Sequence, residues 1–302
     1  MNHTCMYVTS ALWDNFYGGL EAIAKDSDVI ANEGQLVSNK LYDGTALQMN
    51  LGYGKKGIGV SSTFRRLENF SFYSDRLAEG NVYNQQLINY VPALTKQHDY
   101  LLTNIYVYQA QPQISFQDFA LLKIGEIGGQ VDLFYTLKKK TTLGGKYGTK
   151  IALNMSYWAG LSGDYDYLNF EYDADFLKFG KKYFSDISLE IRKKWSSDWS
   201  SVFYYVNQYY NKKYIEETFG IVETDIFVSE STYKMGTGKS LRFETQHLWS
   251  KDDKKNWVGG TLEFNLNSKF AVYVNDIYNY GNDNETKRIH YYNLGGSYTL
   301  GA

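Results

Sequence analysis

The segment KMGTGKS, residues 234–240, is the part of this chain that most resembles a site for chemistry, because it ends like a phosphate-binding loop. That loop, G-x-x-x-x-G-K-[ST], needs a glycine five positions before Gly238, where this chain has Tyr233. It must also lead into a helix whose N-terminus holds phosphate. Here the segment LRFETQHLW follows, and its alternation of apolar and polar residues predicts a strand. We therefore interpret KMGTGKS as a tight turn between two strands and expect no nucleotide partner.

The residues that could bind a metal or perform hydrolysis are few and scattered. The single cysteine, Cys5, excludes an internal disulfide and a Cys-based zinc site. The four histidines lie far apart, at positions 3, 98, 247 and 290. No G-x-S-x-G sequence is present, and the carboxylate pairs at 216–217 and 252–253 lie beside lysines in predicted loops. We therefore predict no catalytic residues, no metal site and no cofactor, and a barrel-embedded hydrolase remains the less favoured alternative.

The composition narrows the classes of protein to which the chain can belong. A net charge of −2 over 302 residues provides no basic surface for nucleic acid. Mean hydropathy is −0.44, and no apolar run reaches the length of about 18 residues that a transmembrane helix needs. Aromatic residues make up 17% of the chain, with 29 tyrosines and only 2 prolines. Such a composition still permits a membrane β-barrel, in which only alternate residues face lipid.

Long alternating segments dominate the chain from about residue 182 onward and predict a series of strands. These strands cover about 183–195, 200–212, 221–234, 239–250, 257–266, 269–280 and 287–300. Earlier in the chain, the predicted elements are a hairpin within 45–74 and strands near 98–109, 128–138 and 149–161. Two long loops are predicted at 75–97 and 110–127. Residues 1–302 would then form one domain of about 12–14 strands.

The lengths of the strands and of their connections favour a transmembrane β-barrel. The strands run to about 10–13 residues, near the length with which a tilted strand crosses a bilayer. Short and longer connections alternate, so the short turns share one end of an up-and-down antiparallel sheet, as in outer-membrane barrels. A barrel also removes the exposed edges of so large a sheet. The alternative is a soluble β-sandwich or β-sheet protein that binds glycans through exposed tyrosines and tryptophans.

Two sets of residues are predicted to face different surroundings in such a barrel. Charged residues on the polar side of the strands are expected to face the lumen, where opposite charges can pair across strands. They are Glu190, Arg192, Arg242, Glu244, Glu263, Asp276 and Arg288. Aromatic residues near strand ends are expected to form girdles at the membrane–water interfaces. They are Trp195, Trp199, Trp249, Trp257, Tyr278 and Tyr280.

Several stretches of the chain carry a resemblance, among them LINYVPALTKQHDYLL, GEIGGQVDLFYTLKKKTTLGGKYGTKIALNMS, IRKKWS and LRFETQHLWSKDDKKNW. Over most of residues 45–302, the chain resembles a family of uncharacterised, porin-like outer-membrane β-barrel proteins of Gram-negative bacteria. The resemblance implies the fold and the outer membrane as the location, but no activity and no residue roles. Members of that family are longer and have a signal peptide, of which MNHTCMYVTSALWD shows no sign. We therefore expect a fragment without its signal peptide and terminal strands, in which the barrel need not be fully closed.

These features together predict a membrane protein rather than an enzyme. We expect a passive or substrate-selective pore, or a structural component of a surface complex. The mixed charges of the lumen and the loops at 75–97 and 110–127 would exclude some solutes and so determine which solutes pass through the pore. Because neither sign of charge dominates, weak ion selectivity is expected. The expected partners are outer-membrane lipid, other envelope proteins and small solutes.

Overall fold

Within the part of the chain that the structure describes, thirteen strands form a single antiparallel sheet, and their order in the sheet is their order in the chain. The computed structural model describes residues 3–32, 35–36, 38–73, 89–116 and 119–300, and within 3–13, 31–32 and 35–36 it describes the backbone alone. The strands are β1 (His3–Trp13), β2 (Phe16–Asp28), β3 (Ala31–Asn32), β4 (Gln35–Leu36), β5 (Tyr42–Lys55), β6 (Ile58–Glu68), β7 (Gly125–Leu137), β8 (Thr149–Asp166), β9 (Glu171–Lys194), β10 (Trp199–Asn211), β11 (Ile221–Gly236), β12 (Lys239–Ser250), β13 (Trp257–Asn265), β14 (Phe270–Tyr278) and β15 (His290–Tyr298). A separate two-stranded ladder contains β3 and β4. Among the described residues, no helix is long and apolar enough to cross a bilayer.

The prediction of an all-β, up-and-down antiparallel fold is confirmed, since the order of the long strands in the sheet is their order in the chain. The predicted hairpin within 45–74 is β5 and β6, and β10 to β15 lie close to their predicted positions. Two parts of the sheet differ from the prediction. β1 and β2 lie before the first predicted strand, and β9 begins at Glu171, well before the predicted start.

Short turns and longer connections lie at opposite ends of the sheet. The connections after β1, β5, β9, β11 and β13 are two to four residues long and share one end with the β7–β8 connection. We call this the turn end. The connections after β2, β6, β10, β12 and β14 are longer and lie at the opposite end, together with the tip of the long β8–β9 hairpin. We call this the loop end. The alternation of connection lengths fits the period with which an up-and-down sheet reverses direction.

The turn between β11 and β12 explains the sequence that resembles a phosphate-binding loop. Thr237 and Gly238 are the two residues of the turn, and both have positive φ, 48° and 76°. Two consecutive residues of this kind form the tight hairpin turn that matches the twist of antiparallel strands, which favours glycine. A strand, β12, follows directly, so the predicted hairpin turn is confirmed.

Residues 89–116 do not join the sheet but lie across one of its faces, and we call them the inserted segment. The strand predicted at 98–109 is wrong, because these residues form a coil with one 3₁₀ turn, at Leu102–Asn104. Their alternation arises from a different cause than strand pairing. Tyr100, Leu102, Tyr106 and Tyr108 are buried against the sheet, as is Thr103, whereas Leu101, Asn104 and Val107 are exposed. An extended segment packed on the face of a sheet can therefore show alternating burial of its side chains without pairing with another strand.

The two faces of the sheet differ in what covers them. The inserted segment covers the inner face, which carries Arg65, Glu126, Asp186 and Gln246 among its buried polar residues. The outer face is traced by directly paired residues, whose side chains share a side of the sheet. It exposes a series of large apolar residues, namely Leu20, Met49, Leu51, Tyr135, Met155, Ile187, Leu189, Tyr205, Phe227, Phe243, Leu262 and Val274. One sheet with a segment on one face is not the two-layer core of the β-sandwich alternative.

The two outermost strands define the edges of the sheet. Within the described residues, β1 pairs only with β2, and β15 pairs only with β14, so the sheet is not closed. β1 and β15 are the first and thirteenth strands of an up-and-down series and therefore run in the same direction. A direct pairing of the two would consequently be parallel.

Candidate functional site

One buried ion pair fastens the inserted segment to the inner face. The Arg65 guanidinium, on β6, donates to the Pro92 carbonyl at 2.8 Å and to the Glu126 carboxylate, on β7, at 2.5 Å. Glu126 also accepts from the Tyr108 hydroxyl at 2.5 Å and from the Gln111 backbone amide at 2.7 Å. Both charged side chains are almost fully buried. Because each buried charge is paired and hydrogen-bonded, the contact holds two separate parts of the segment on neighbouring strands.

A histidine of the inserted segment forms a second polar contact with the wall. His98 Nε2 lies 2.9 Å from the Asp186 carboxylate on β9, and Nδ1 contacts the Tyr204 hydroxyl on β10. Gln208 donates to the same oxygen of Asp186 at 3.0 Å. A carboxylate can only accept, so Nε2 donates to Asp186. His98 therefore ties the segment to two neighbouring strands.

The inserted segment packs on an apolar part of the inner face. Leu102 is fully buried in a cluster with Ile226 and Val228 of β11 and Leu248 of β12. Its backbone N–H donates to the Gln246 side chain at 2.9 Å, which satisfies a buried amide outside the sheet ladder. The apolar residues of the inner face thus lie where the segment crosses it.

A loop-end contact holds the part of the segment around Tyr106. The Tyr106 hydroxyl donates to the Asp253 carboxylate, in the β12–β13 connection, at 3.0 Å. The Lys212 ammonium donates to the other oxygen at 2.9 Å. Burial alone would raise the pKa of Asp253, but the two hydrogen bonds and the positive charges of Lys212 and Lys254 outweigh it. The pKa of Asp253 therefore lies below its usual value.

Lys123 follows the inserted segment and is buried at the loop end. Its ammonium donates to the Gln111 side chain at 2.9 Å and to the Tyr214 carbonyl at 3.1 Å, with the Glu217 carboxylate at 3.5 Å. Burial lowers the pKa of Lys123, and the Glu217 carboxylate opposes that shift. The contact joins the chain entering β7 to the β10–β11 connection.

Five of the charged residues predicted to face the lumen lie on the inner face, in two clusters near the turn end. On β9, Arg192 holds Glu190 through two hydrogen bonds of 2.5 and 3.0 Å. On β11 to β13, Arg242 binds Glu230 at 2.9 Å, contacts Glu244, and lies 3.5 Å from Glu263. The first cluster balances its charges, whereas the second has three carboxylates around one guanidinium.

The other two residues predicted to face the lumen lie elsewhere. The register pairs Asp276 with Gly260, on the face that carries Val274 and Tyr278, so Asp276 belongs to the outer face. There its carboxylate lies 2.7 Å from His290 Nδ1. Arg288 lies in the β14–β15 connection and donates to the Asn282 carbonyl at 2.7 Å. The prediction for Asp276 was wrong because it ignored the period of two, since Asp276 and Tyr278 share a parity. The prediction for Arg288 was wrong because this residue lies before β15 and not within a strand.

The aromatic residues predicted to form girdles also fall into two groups: five lie near the two ends of the sheet away from the inner face, and Trp257 does not. At the turn end, the rings of Trp195 and Trp199 lie 5.7 Å apart and are exposed. At the loop end, Trp249, Tyr278 and Tyr280 lie on the outer side. The Tyr280 hydroxyl lies 2.9 Å from His247 Nε2. The His247 ring is tilted against the Trp249 ring, with 4.1 Å between the ring centroids.

Trp257 contradicts the girdle prediction. It is buried on the inner face in the cluster with Leu102 and Leu248. Trp257 shares a parity with Glu263 on β13, which was predicted to face the lumen, so the alternation itself indicated an inward side chain. The residues that anchor the inserted segment, Arg65, Glu126 and His98, were not predicted as site residues, because their partners lie far away in the chain.

Two cavities lie on opposite sides of the inserted segment. The loop-end cavity measures about 840 Å³ and is lined by residues that include Thr103, Asn104, Tyr106, Gln111, Asp186 and Gln208. The turn-end cleft measures about 360 Å³, and residues that line it include Lys96, Asp99, Phe134, Lys150, Glu190 and Arg192. The segment therefore separates two spaces along the inner face.

A family model described as "Family of unknown function (DUF6029)" matches residues 8–302, nearly the whole chain. The chain belongs to this family. No curated protein matches this member of the DUF6029 family. The family assignment agrees with the predicted membership of an uncharacterised family, and it covers both the sheet and the inserted segment.

Several solved structures are similar to this DUF6029 member in outline. The NanC porin is 9% identical, with a TM-score of 0.33 over 92% of this chain and 99% of that chain. OmpTdeltaL8, a loop-deletion mutant of an outer membrane protein of Vibrio cholerae, is 10% identical, with a TM-score of 0.34 over 98% and 99%. The toluene transporter TodX of Pseudomonas putida is 10% identical, with a TM-score of 0.29 over 91% and 75%. Identities and TM-scores this low carry no function over to the DUF6029 member.

Proposed function

We propose that this protein is a bacterial outer-membrane β-barrel that acts as a non-enzymatic pore, narrowed from within by the inserted segment. The observation that supports the proposal most strongly is the exposed apolar outer face, which extends over strands from β2 to β14. Monomers in water rarely expose contiguous apolar patches larger than a few hundred Å². Hydrocarbon around the outer face removes that cost, and the sheet ladders satisfy the backbone within it.

The height of the outer face supports the same proposal. On β10, Trp199 near the turn end and Tyr209 near the loop end are ten residues apart and have the same parity. At about 3.3 Å per residue, this separation is about 33 Å along the strand. A strand tilted by about 40° would then place the two rings about 25 Å apart along the bilayer normal, which is the height of the apolar band in outer-membrane barrels.

The inner face supports the role of a pore. Its charges are of both signs, as in the Arg192–Glu190 pair and the cluster of three carboxylates around Arg242, and water-sized space remains on both sides of the inserted segment. The segment would restrict the path to solutes that fit between it and the wall. Because charges of both signs line the inner face and neither sign dominates, we expect weak selectivity between small cations and anions. A lumen fully sealed by the segment would leave the role of a structural component in a surface complex.

Reconstitution of the full chain tests this proposal. Folded protein in detergent should migrate differently on gels before and after heating, and in planar bilayers it should give discrete conductance steps in KCl. Deletion of residues 95–110 should enlarge those steps, since it removes the crossing part of the inserted segment. A protein that stays soluble and monomeric without detergent would overturn the barrel. A folded protein that inserts but never conducts, even after the deletion, would overturn the pore.

A further inference from the structure

The cleft on the turn-end side of the inserted segment combines charges from three different elements. Lys96 belongs to the inserted segment, Lys150 to β8 and Arg192 to β9, and all three line the same space of about 360 Å³. Lys150 and Arg192 are directly paired across the two strands and lie on the inner face. A volume of this size is within the range of sites for small organic molecules.

The positive charges of this cleft are only partly compensated. Arg192 is held by Glu190 through two hydrogen bonds. Among the described residues, no carboxylate lies within 4.0 Å of the Lys96 or Lys150 ammonium. Asp99 also lines the cleft, so its three cations and two carboxylates leave a formal charge of +1. Two ammonium groups therefore remain available to an anion.

An apolar ring lies in the same cleft. Phe134 is on the inner face of β7, yet 50% of its surface is exposed. Its direct neighbours across the sheet are Gly59 on β6 and Ala152 on β8, which are too small to cover it. The aromatic residues of the inner face under the inserted segment, such as Tyr204 and Trp158, are buried by contrast. An exposed phenyl ring in water has a favourable partner in the apolar body of a ligand.

We propose that this cleft binds small organic anions, namely carboxylates with an aromatic or aliphatic body. The carboxylate would lie between the Lys96 and Lys150 ammonium groups, and the body would contact Phe134. A cation is disfavoured because the cleft is positive and the Glu190 carboxylate is occupied by Arg192. The inference rests on the proposed function, since it requires the inner face to border an aqueous interior.

Calorimetric titration of the full chain in nonionic detergent tests the inference with three probes. Benzoate carries both features, benzyl alcohol carries the ring without the charge, and acetate carries the charge without the ring. Benzoate should bind saturably and more tightly than either of the others. Lys96→Gln and Lys150→Gln should each weaken benzoate binding about tenfold, as expected for the loss of one charge-assisted hydrogen bond. Phe134→Ala should weaken benzoate binding but leave acetate binding unchanged.

Lys139→Gln provides the matched control, because Lys139 is exposed in the β7–β8 connection and does not line the cleft. It should bind benzoate like the unchanged protein. Equal affinity for benzyl alcohol, an equal loss in Lys139→Gln, or no saturable binding of benzoate would each overturn the inference. Conductance in KCl separates this failure from that of the proposed function. A protein that conducts but does not bind benzoate would overturn only the proposed anion site in the cleft.

Discussion

At the scale of single residues, the position of the inserted segment depends on Glu126. This carboxylate neutralises Arg65 and accepts hydrogen bonds from Tyr108 and Gln111, and none of these groups has water as an alternative partner while buried. Its removal leaves a guanidinium without a counter-charge, which costs more than the pair itself contributes.

We expect Glu126→Ala to lower the free energy of unfolding by about 3–5 kcal/mol. Urea unfolding in phospholipid vesicles would measure the change, and proteolysis within residues 89–116 should become faster. Glu171→Ala is the control, because Glu171 forms an exposed pair with Lys40 that is worth about 1 kcal/mol or less. Equal losses in the two variants would contradict the role of Glu126.

The lowered pKa of Asp253 predicts that the loop-end contact between Asp253, Tyr106 and Lys212 depends on pH. Its pKa is lowered in the folded protein, so the stabilisation is fully present above the usual carboxyl pKa of about 3.9. The stabilisation is lost as the pH falls through the lowered value, because the protonated carboxyl no longer attracts Lys212. The Tyr106 part of the segment should therefore loosen in acid and remain fixed at neutral pH.

Hydrogen exchange near Tyr106, followed from pH 6 to below pH 4, would measure this loosening. Asp253→Asn should show increased exchange already at neutral pH, with a loss of about 1 kcal/mol there because the site is partly exposed. Asp14→Asn, in the exposed β1–β2 turn, should behave like the unchanged protein. A pH response that survives in Asp253→Asn would show that another group controls the contact.

At the scale of elements, the inserted segment and the sheet should differ in stability. The sheet consists of continuous ladders of hydrogen bonds, whereas the segment is held by side-chain contacts and a few backbone groups. Local opening of the segment should therefore require less free energy than unfolding of the strands.

Leu102 and Leu101 provide a matched test of that difference. Leu102 is fully buried, while its neighbour Leu101 is 40% exposed. Leu102→Ala should destabilise the segment by about 2–5 kcal/mol, since it leaves a cavity against Leu248. Leu101→Ala should change stability by about 0.5 kcal/mol or less. Hydrogen exchange should show the loss in residues 98–108 and not in β10 to β12. A loss spread evenly over sheet and segment would contradict their independence.

At the scale of the whole molecule, the medium around the outer face decides how the sheet is stabilised. In the proposed barrel, hydrocarbon would surround the apolar outer residues, and water or a partner group would reach the charged inner residues. Adjacent residues of one strand should therefore respond in opposite ways to a new charge.

Val274 and Asn275, in the middle of β14, test this prediction. Val274 is exposed on the outer face, and Asn275 is paired with Thr261 on the inner face. Val274→Arg should make folding into vesicles less favourable by about 2–4 kcal/mol, the cost of a cation near the bilayer centre. Asn275→Arg should change it by about 1 kcal/mol or less. Similar values for the two variants would contradict a lipid-facing outer surface.

The sequence determined much of the sheet and little of the segment inside it. Strands such as β10 and β12 were predictable because side chains alternate with the pleat, whatever the distant parts of the chain do. The same period, applied consistently, would have placed Trp257 inside and Asp276 outside. By contrast, apolar and polar residues alternate in 98–109 as they do in a strand. Local spacing does not distinguish a strand paired in a sheet from a coil packed on the face of one.

The sequence by itself therefore decided that the chain forms long antiparallel strands with one apolar and one polar face, because that pattern is a local property of the backbone. Only the tertiary structure decided that residues 89–116 cross the inner face and that Arg65 meets Glu126. It also brought Lys96, Lys150 and Phe134 into one cleft. These contacts join residues that lie far apart in the chain, so they depend on the strand order and register of the whole sheet.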